Sequence, residues 1–179
     1  ARVMAEAIAV GADIINDVRA LQEPEALEVA VAAKVPVCLM HMQGQPRSMQ
    51  HQPSYQQVVL EVLAFLQQRA EVCIAAGIAR QQIIFDPGFG FGKSLAHNYE
   101  LLSAMSQFVE TGYPVLAGMS RKSMIGQLLN RDVAERLAGS IACATIAVMK
   151  GAQIIRVHDI KETADAIKIA QATKFGVNA

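Results

Sequence analysis

Apolar residues gather along this chain in short runs rich in Val, Ile and Leu, with little polar alternation inside them. Five runs, at 12–18, 35–40, 82–86, 114–118 and 152–158, read as strands. Runs of that kind fit a parallel sheet buried on both faces. Between them the period changes. Tyr55, Val59, Val62, Leu66 and Cys73 recur at roughly helical spacing, and Gly77 stands where that helix can end. Asp132 and Glu135 form an N-terminal capping pair ahead of Leu137, Ile141 and Val148. Gly151 then takes a left-handed C-terminal position. Residues 1–10 read as the later part of a helix, with no strand before it.

One motif occurs twice. Val10-Gly11-Ala12-Asp13-Ile14-Ile15-Asn16 is echoed by Lys150-Gly151-Ala152-Gln153-Ile154-Ile155-Arg156. Each reads as helix end, glycine, buried strand and a polar residue at the strand's C-terminal end. Alternating βα units imply an α/β fold, either an open doubly wound sheet or a (β/α)8 barrel. The 179 residues suit one domain spanning 1–179. Five strands cannot close an eight-stranded barrel, which takes about 250 residues. An N-terminal portion is therefore expected to be missing.

Composition narrows the function classes. Apolar residues make up 53%, which excludes global disorder. Lys+Arg and Asp+Glu number 16 each, so no broad electrostatic footprint for nucleic acid or anionic membrane is expected. The longest apolar stretch, near 141–149, is too short to span a bilayer. Cys38, Cys73 and Cys143 are odd in number and widely spaced, which suits buried thiols in a reducing, cytoplasmic setting. The four histidines show no zinc-binding spacing.

Ligands of α/β folds bind beyond the C-terminal ends of the strands. The first run ends in Asn16-Asp17, on opposite faces by alternation. Either group serves a ligand or caps the next turn. The third ends in Asp86, followed by Pro87 and by three glycines interleaved with Phe89 and Phe91. Such a loop lets backbone approach a ligand and offers aromatic faces. Gly92-Lys93-Ser94 looks like the tail of a phosphate-binding loop, but Pro87 stands where the leading glycine belongs, and nucleotide binding there is rejected. The fourth run leads into Gly118-Met119-Ser120-Arg121-Lys122-Ser123, and the fifth into Arg156-Val157-His158-Asp159. Cations at a helix start oppose its dipole, so another requirement holds Arg121 and Lys122 there. Arg156 beside His158 suits an anion, although an Arg156–Asp159 surface pair is the plain alternative. Together an acid, an amide, Lys, Arg and His suit a heterocycle with an amidine-like edge and an anionic leaving group.

These segments, with Met40-His41-Met42-Gln43-Gly44 and DPGFGFGK at 86–93, closely resemble the bacterial dihydropteroate synthase family of the folate pathway. The resemblance runs through five ordered motifs over the whole chain. It implies a (β/α)8 barrel of which these are the fourth to eighth strands, so the fold class expected is an incomplete barrel. It implies the joining of 4-aminobenzoate to 6-hydroxymethyl-7,8-dihydropterin diphosphate, with release of pyrophosphate. By the same resemblance Asn16 and Asp86 would grip the pterin edge and Met40 would pack on its ring. Lys122 would bond the pterin and border the aminobenzoate site, with Gly118, Ser120, Phe91 and Arg121 nearby. Arg156 and His158 would hold the diphosphate. Lys122 and Asp86 would act in catalysis.

Magnesium would assist the leaving group, but its protein ligand lies in the family's first three strands, which this chain lacks. No metal ligand is expected among the residues present. A homodimer is implied for the complete protein, and an inactive chain in isolation. Two rivals share parts of this pattern. One is the pterin-binding domain of a methyltetrahydrofolate-dependent methyltransferase, whose chemistry asks for no diphosphate site. The other is a non-catalytic pterin-binding fragment.

Overall fold

Helix ends and strand starts are joined in one recurring way. In the computed structural model, which describes residues 1–44 and 53–177, helix α1 (Arg2–Ala9) ends with Gly11 N–H bonded to Ile8 O and Ala12 N–H bonded to Ala7 O, both at 3.0 Å. Helix α7 (Leu137–Met149) ends identically, with Gly151 on Val148 O at 2.9 Å and Ala152 on Ala147 O at 2.9 Å. Helix α3 (Val58–Ala75) repeats it through Gly77 and Ile78, on Ile74 O and Cys73 O. This paired bonding closes the last orphan carbonyls and turns the chain into a strand. The echo in the sequence is thus a shared helix-to-strand joint.

The strands are β1 (Ile15–Asp17), β2 (Val37–Met40), β3 (Ile83–Asp86), β4 (Leu116–Ala117) and β5 (Ile154–Ile155). β1, β2 and β3 form one parallel sheet in that order, and β4 and β5 a second parallel pair. A parallel bridge between Phe85 and Val115 links them. Helix α2 (Ala26–Ala33) follows β1, and α3 follows β2. Helices α4 (Leu95–Ser103) and α5 (Met105–Val109) follow β3, and α6 (Ser123–Leu129) follows β4. Helix α8 (Ile160–Phe175) closes the order.

The strands are shorter than the apolar runs predict. Between β4 and β5 the reason is local. The Gln153 side chain takes the Val115 N–H at 2.8 Å, and Gln153 and Ile154 both donate to Val115 O at 3.1 Å. Backbone pairing therefore cannot begin before that point. Beyond β5 one ladder bond follows, Arg156 N–H to Ala117 O at 3.1 Å, after which His158 N–H turns to Ser120 Oγ, so Arg156 and His158 lie in the loop after β5 rather than inside a strand ending at 158. The Asp132–Glu135 pair caps a 3₁₀ turn, Val133–Glu135, and not α7 itself. Arg136 enforces the break. Its guanidinium lies over Gly126 and donates to Arg131 O and Arg121 O. Helix α4 is capped by Ser94, whose hydroxyl accepts from His97 N–H while His97 Nδ1 accepts from Ser94 N–H, each at 3.2 Å.

Strand alternation divides the sheet faces. Ile15, Val37, Leu39, Ile83, Phe85, Val115 and Ala117 enter the main core against the helices. Cys38, Ile84 and Leu116 form a second small cluster with Ile154. Asn16, Met40, Asp86 and Gly118 share the parity of that second set. The chemistry therefore sits on the face turned away from the helices, at the strands' C-terminal ends.

Candidate functional site

Asp86 closes β3 and is 1% exposed. An unpaired buried carboxylate would be costly, and this one is matched. Gly88 N–H donates to Oδ1 at 2.8 Å, and Arg156 Nη2 lies 3.3 Å from Oδ2. Burial pushes the Asp86 carboxyl above the ordinary range, against the pull of Arg156, the Gly88 N–H, Lys122 and Lys93. Arg156 reaches Asp86 across β4 because Gly118 has no side chain; a Cβ there would stand 2.5 Å from Nη2. Met40 pairs with Asp86 in register and is buried. Cys38, one rung lower on that face, is a buried thiol pushed upward by burial and by Asp86.

The loops after β4 and β5 are tied by two contacts. Ser120 Oγ accepts from His158 N–H at 3.2 Å and lies 3.0 Å from His158 Nδ1. Arg121, in left-handed backbone, forks onto both Asp159 oxygens, with Nε at 3.1 Å. The Arg156–Asp159 alternative therefore does not form: Asp159 takes Arg121, and Arg156 takes Asp86. Lys122 Nζ donates to Phe89 O at 2.5 Å and sits 4.6 Å from the Phe91 ring centroid. Burial brings its ammonium down to about 8, with Asp86 opposing.

The loop at 87–93 is held from several sides. Gly90 N–H donates to Asn98 Oδ1 at 2.7 Å, and Tyr55 OH to Gly92 O at 2.8 Å. Gly88, at φ +73°, packs so closely on β2's exit that a Cβ would overlap the His41 carbonyl oxygen. Lys93 turns inward, 3% exposed, with His41 Nδ1, Phe91 O and His41 O around its amine.

Among the expected residues, the structure brings Met40, Asp86, Phe91, Gly118, Lys122 and Arg156 to one place, with Ser120, Arg121 and His158 beside it in the two tied loops. Asn16 stands apart. It shares the face but pairs in register with Cys38, a rung below Met40 and across β2. Its neighbour Asp17 caps a turn by accepting from Leu21 N–H at 2.7 Å. Sequence reasoning gave no role to Lys93, His41, Asn98 or Cys38. The glycine alternation at 88–92 was the available sign that this loop packs against something fixed. Among the described residues no three His, Cys, Asp or Glu side chains gather as a metal set. Asp86 is engaged by Arg156 and Gly88, so the described residues do not fit magnesium. Among the described residues no helix is long and apolar enough to cross a membrane.

Comparison with known proteins converges on one family. Residues 1–158 match the family model described as pterin binding enzyme. Dihydropteroate synthase of Haemophilus influenzae is 60% identical over 171 residues, covering 96% of this chain and 62% of that protein. The Escherichia coli K12 enzyme of the same name is 55% identical over 171 residues, covering 96% of this chain and 61% of that protein. Among solved structures, the Yersinia pestis enzyme with a sulfonamide drug superposes with a TM-score of 0.95 at 55% identity, covering 97% of this chain and 63% of that one. The Xanthomonas albilineans enzyme with 4-aminobenzoic acid gives 0.91 at 45% identity, covering 97% and 62%. The chain thus spans about three-fifths of the length of these relatives, and its α/β fold with parallel strands is of their barrel type.

Proposed function

Because this chain belongs to the pterin binding enzyme family, we propose that it forms the pterin- and diphosphate-facing part of a dihydropteroate synthase, with its five strands standing as the fourth to eighth of a (β/α)8 barrel. The observation that carries this reading is the buried Asp86 carboxylate set between Arg156 and Lys122 at the strands' C-terminal ends. A pterin presents an amino-pyrimidine edge that a carboxylate can grip, and its diphosphate needs cations. The pairing of Arg156 with Asp86 adds a step to that scheme. A pterin edge at Asp86 takes over the carboxylate, and the guanidinium is released toward the diphosphate, near His158.

In the proposed reaction the bond from the pterin methylene carbon to the diphosphate oxygen breaks, and pyrophosphate leaves with that electron pair. The positive charge on the methylene spreads into the pterin ring, where a buried carboxylate stabilises it more than it stabilises the neutral ground state. The aminobenzoate nitrogen then bonds to carbon and gives up a proton. No covalent enzyme intermediate is required. Met40 would pack on the ring and Asn16 would serve its edge. Lys122 and Phe91, with Gly118, Ser120 and Arg121 near, would border the aminobenzoate. Three buried thiols support a cytoplasmic setting, and the exposed Leu137, Ile146 and Met149 of α7 support a homodimer in the complete protein.

The test is pyrophosphate release by the complete synthase carrying this chain, supplied with the pterin diphosphate. Sustained release over many turnovers that depends on 4-aminobenzoate is expected. No release, together with tight methyltetrahydrofolate binding, would replace this reading with the methyltransferase one.

A further inference from the structure

Among the described residues, Lys93 is the one buried amine that the proposed reaction does not use. It belongs to the segment that imitates a phosphate-binding loop, yet it points into the protein. Its Nζ lies 3.0 Å from His41 Nδ1, 3.1 Å from Phe91 O and 3.3 Å from His41 O. A lysine ammonium has three N–H donors and here meets three acceptors. Two come from the exit of β2 and one from the loop after β3.

The histidine is suited to accept. Burial and the neighbouring Lys93 hold the His41 imidazole down to about 3, so the ring is neutral, and its Nε2–H tautomer presents the Nδ1 lone pair to Lys93. The ring is itself fixed edge-on to Phe65, centroids 5.0 Å apart. Bonds to Phe91 O and from Gly90 N–H, with that to Gly92 O, fasten three successive residues of the loop. Asn98, buried on α4, contributes twice, since its Nδ2 also donates to Ser94 O at 2.7 Å. Phe91 is thereby fixed in front of Lys122, whose Nζ is bonded to Phe89 O in the same loop.

We infer that Lys93 is a positioning residue: by pinning Phe91 O to the His41 exit of β2, it sets the placement of the Phe91 ring and, through the loop, of the Lys122 amine. The Lys93 amine is spent on protein acceptors. Its effect on catalysis rests on the synthase reading, whereas its effect on the loop does not.

Lys93→Met keeps the apolar stem and deletes the donors, and two measurements separate these consequences. In the present chain carrying 4-fluorophenylalanine, the Phe91 fluorine resonance, assigned with Phe91→Leu, is expected as one narrow line. In Lys93→Met it should shift or broaden, and amide exchange at Gly90 and Phe91 should speed at least tenfold, by order of magnitude, while β3 amides hold. Lys93→Gln, which retains two donors, should fall between, and stands in if the Met variant does not fold. In the complete synthase, Lys93→Met should raise the KM for 4-aminobenzoate about tenfold with kcat changed far less, the pattern of lost binding geometry.

An unchanged fluorine line and unchanged exchange would overturn the inference, whatever the activity. So would a loosened loop with an unchanged KM. Absence of synthase activity in the unsubstituted complete protein would instead fell the synthase reading, and the fluorine and exchange results would still decide the role of Lys93.

Discussion

At the scale of single residues, two glycines distinguish structural from functional need. A Cβ on Gly88 meets main chain, the His41 carbonyl, in a backbone conformation that L side chains avoid. Gly88→Ala should therefore cost about 2 kcal/mol or more, read as a lowered urea midpoint. A Cβ on Gly118 meets only the flexible end of Arg156. Gly118→Ala should cost within about 1 kcal/mol of stability, yet displace the guanidinium from Asp86 and impair turnover by the complete synthase. Equal losses of stability would contradict this contrast. Asp86 was legible in the sequence as an acid ending an apolar run. Its partner was not, because Arg156 lies 70 residues on and has an acid three residues away. Only the geometry shows Asp159 taken by Arg121.

At the scale of elements, helices were easier to read than strands. The spacing at Val59, Val62, Leu66 and Cys73 marks the buried stripe of α3. Leu66 is fully buried and Leu60 is 55% exposed. Leu66→Ala should cost about 2–5 kcal/mol, and Leu60→Ala about 0.5 or less, by denaturant unfolding. Strand ends were misread because ladder length depends on what the neighbouring strand offers, as at Gln153 and Val115, which no local pattern reveals. The burial of Lys93 also has a pH signature. Burial holds the folded Lys93 amine at about 7 against an ordinary 10.5, so the unfolded chain binds this proton more tightly between those values. Stability therefore rises with pH through that window, and the contribution is lost as pH falls through about 7. Lys93→Met should flatten the increase in urea midpoint between pH 7 and pH 9; an identical increase would refute the assignment.

At the scale of the whole molecule, two periodicities place the chemistry. Helical spacing directs one strand face into the main core, and the period of two leaves the other for Asp86, Gly118 and their neighbours. The βα order and the strand-end location of the site were thus readable from alternation. The division into two sheets, the exposed position of Asn16 at β1, and the Lys93 pin depend on contacts between distant segments. Because the chain spans about three-fifths of its relatives' length, the 179-residue chain assayed alone should show no pyrophosphate release above background, while the complete synthase should turn over. The central claim is that buried Asp86 stabilises the positive charge left on the pterin as pyrophosphate departs, and kcat/KM for the pterin diphosphate in complete synthase, unsubstituted against Asp86→Asn, tests it most directly. A charged hydrogen bond of about 1.5–3 kcal/mol predicts a loss of more than tenfold; an unchanged kcat/KM with the fold intact would contradict it.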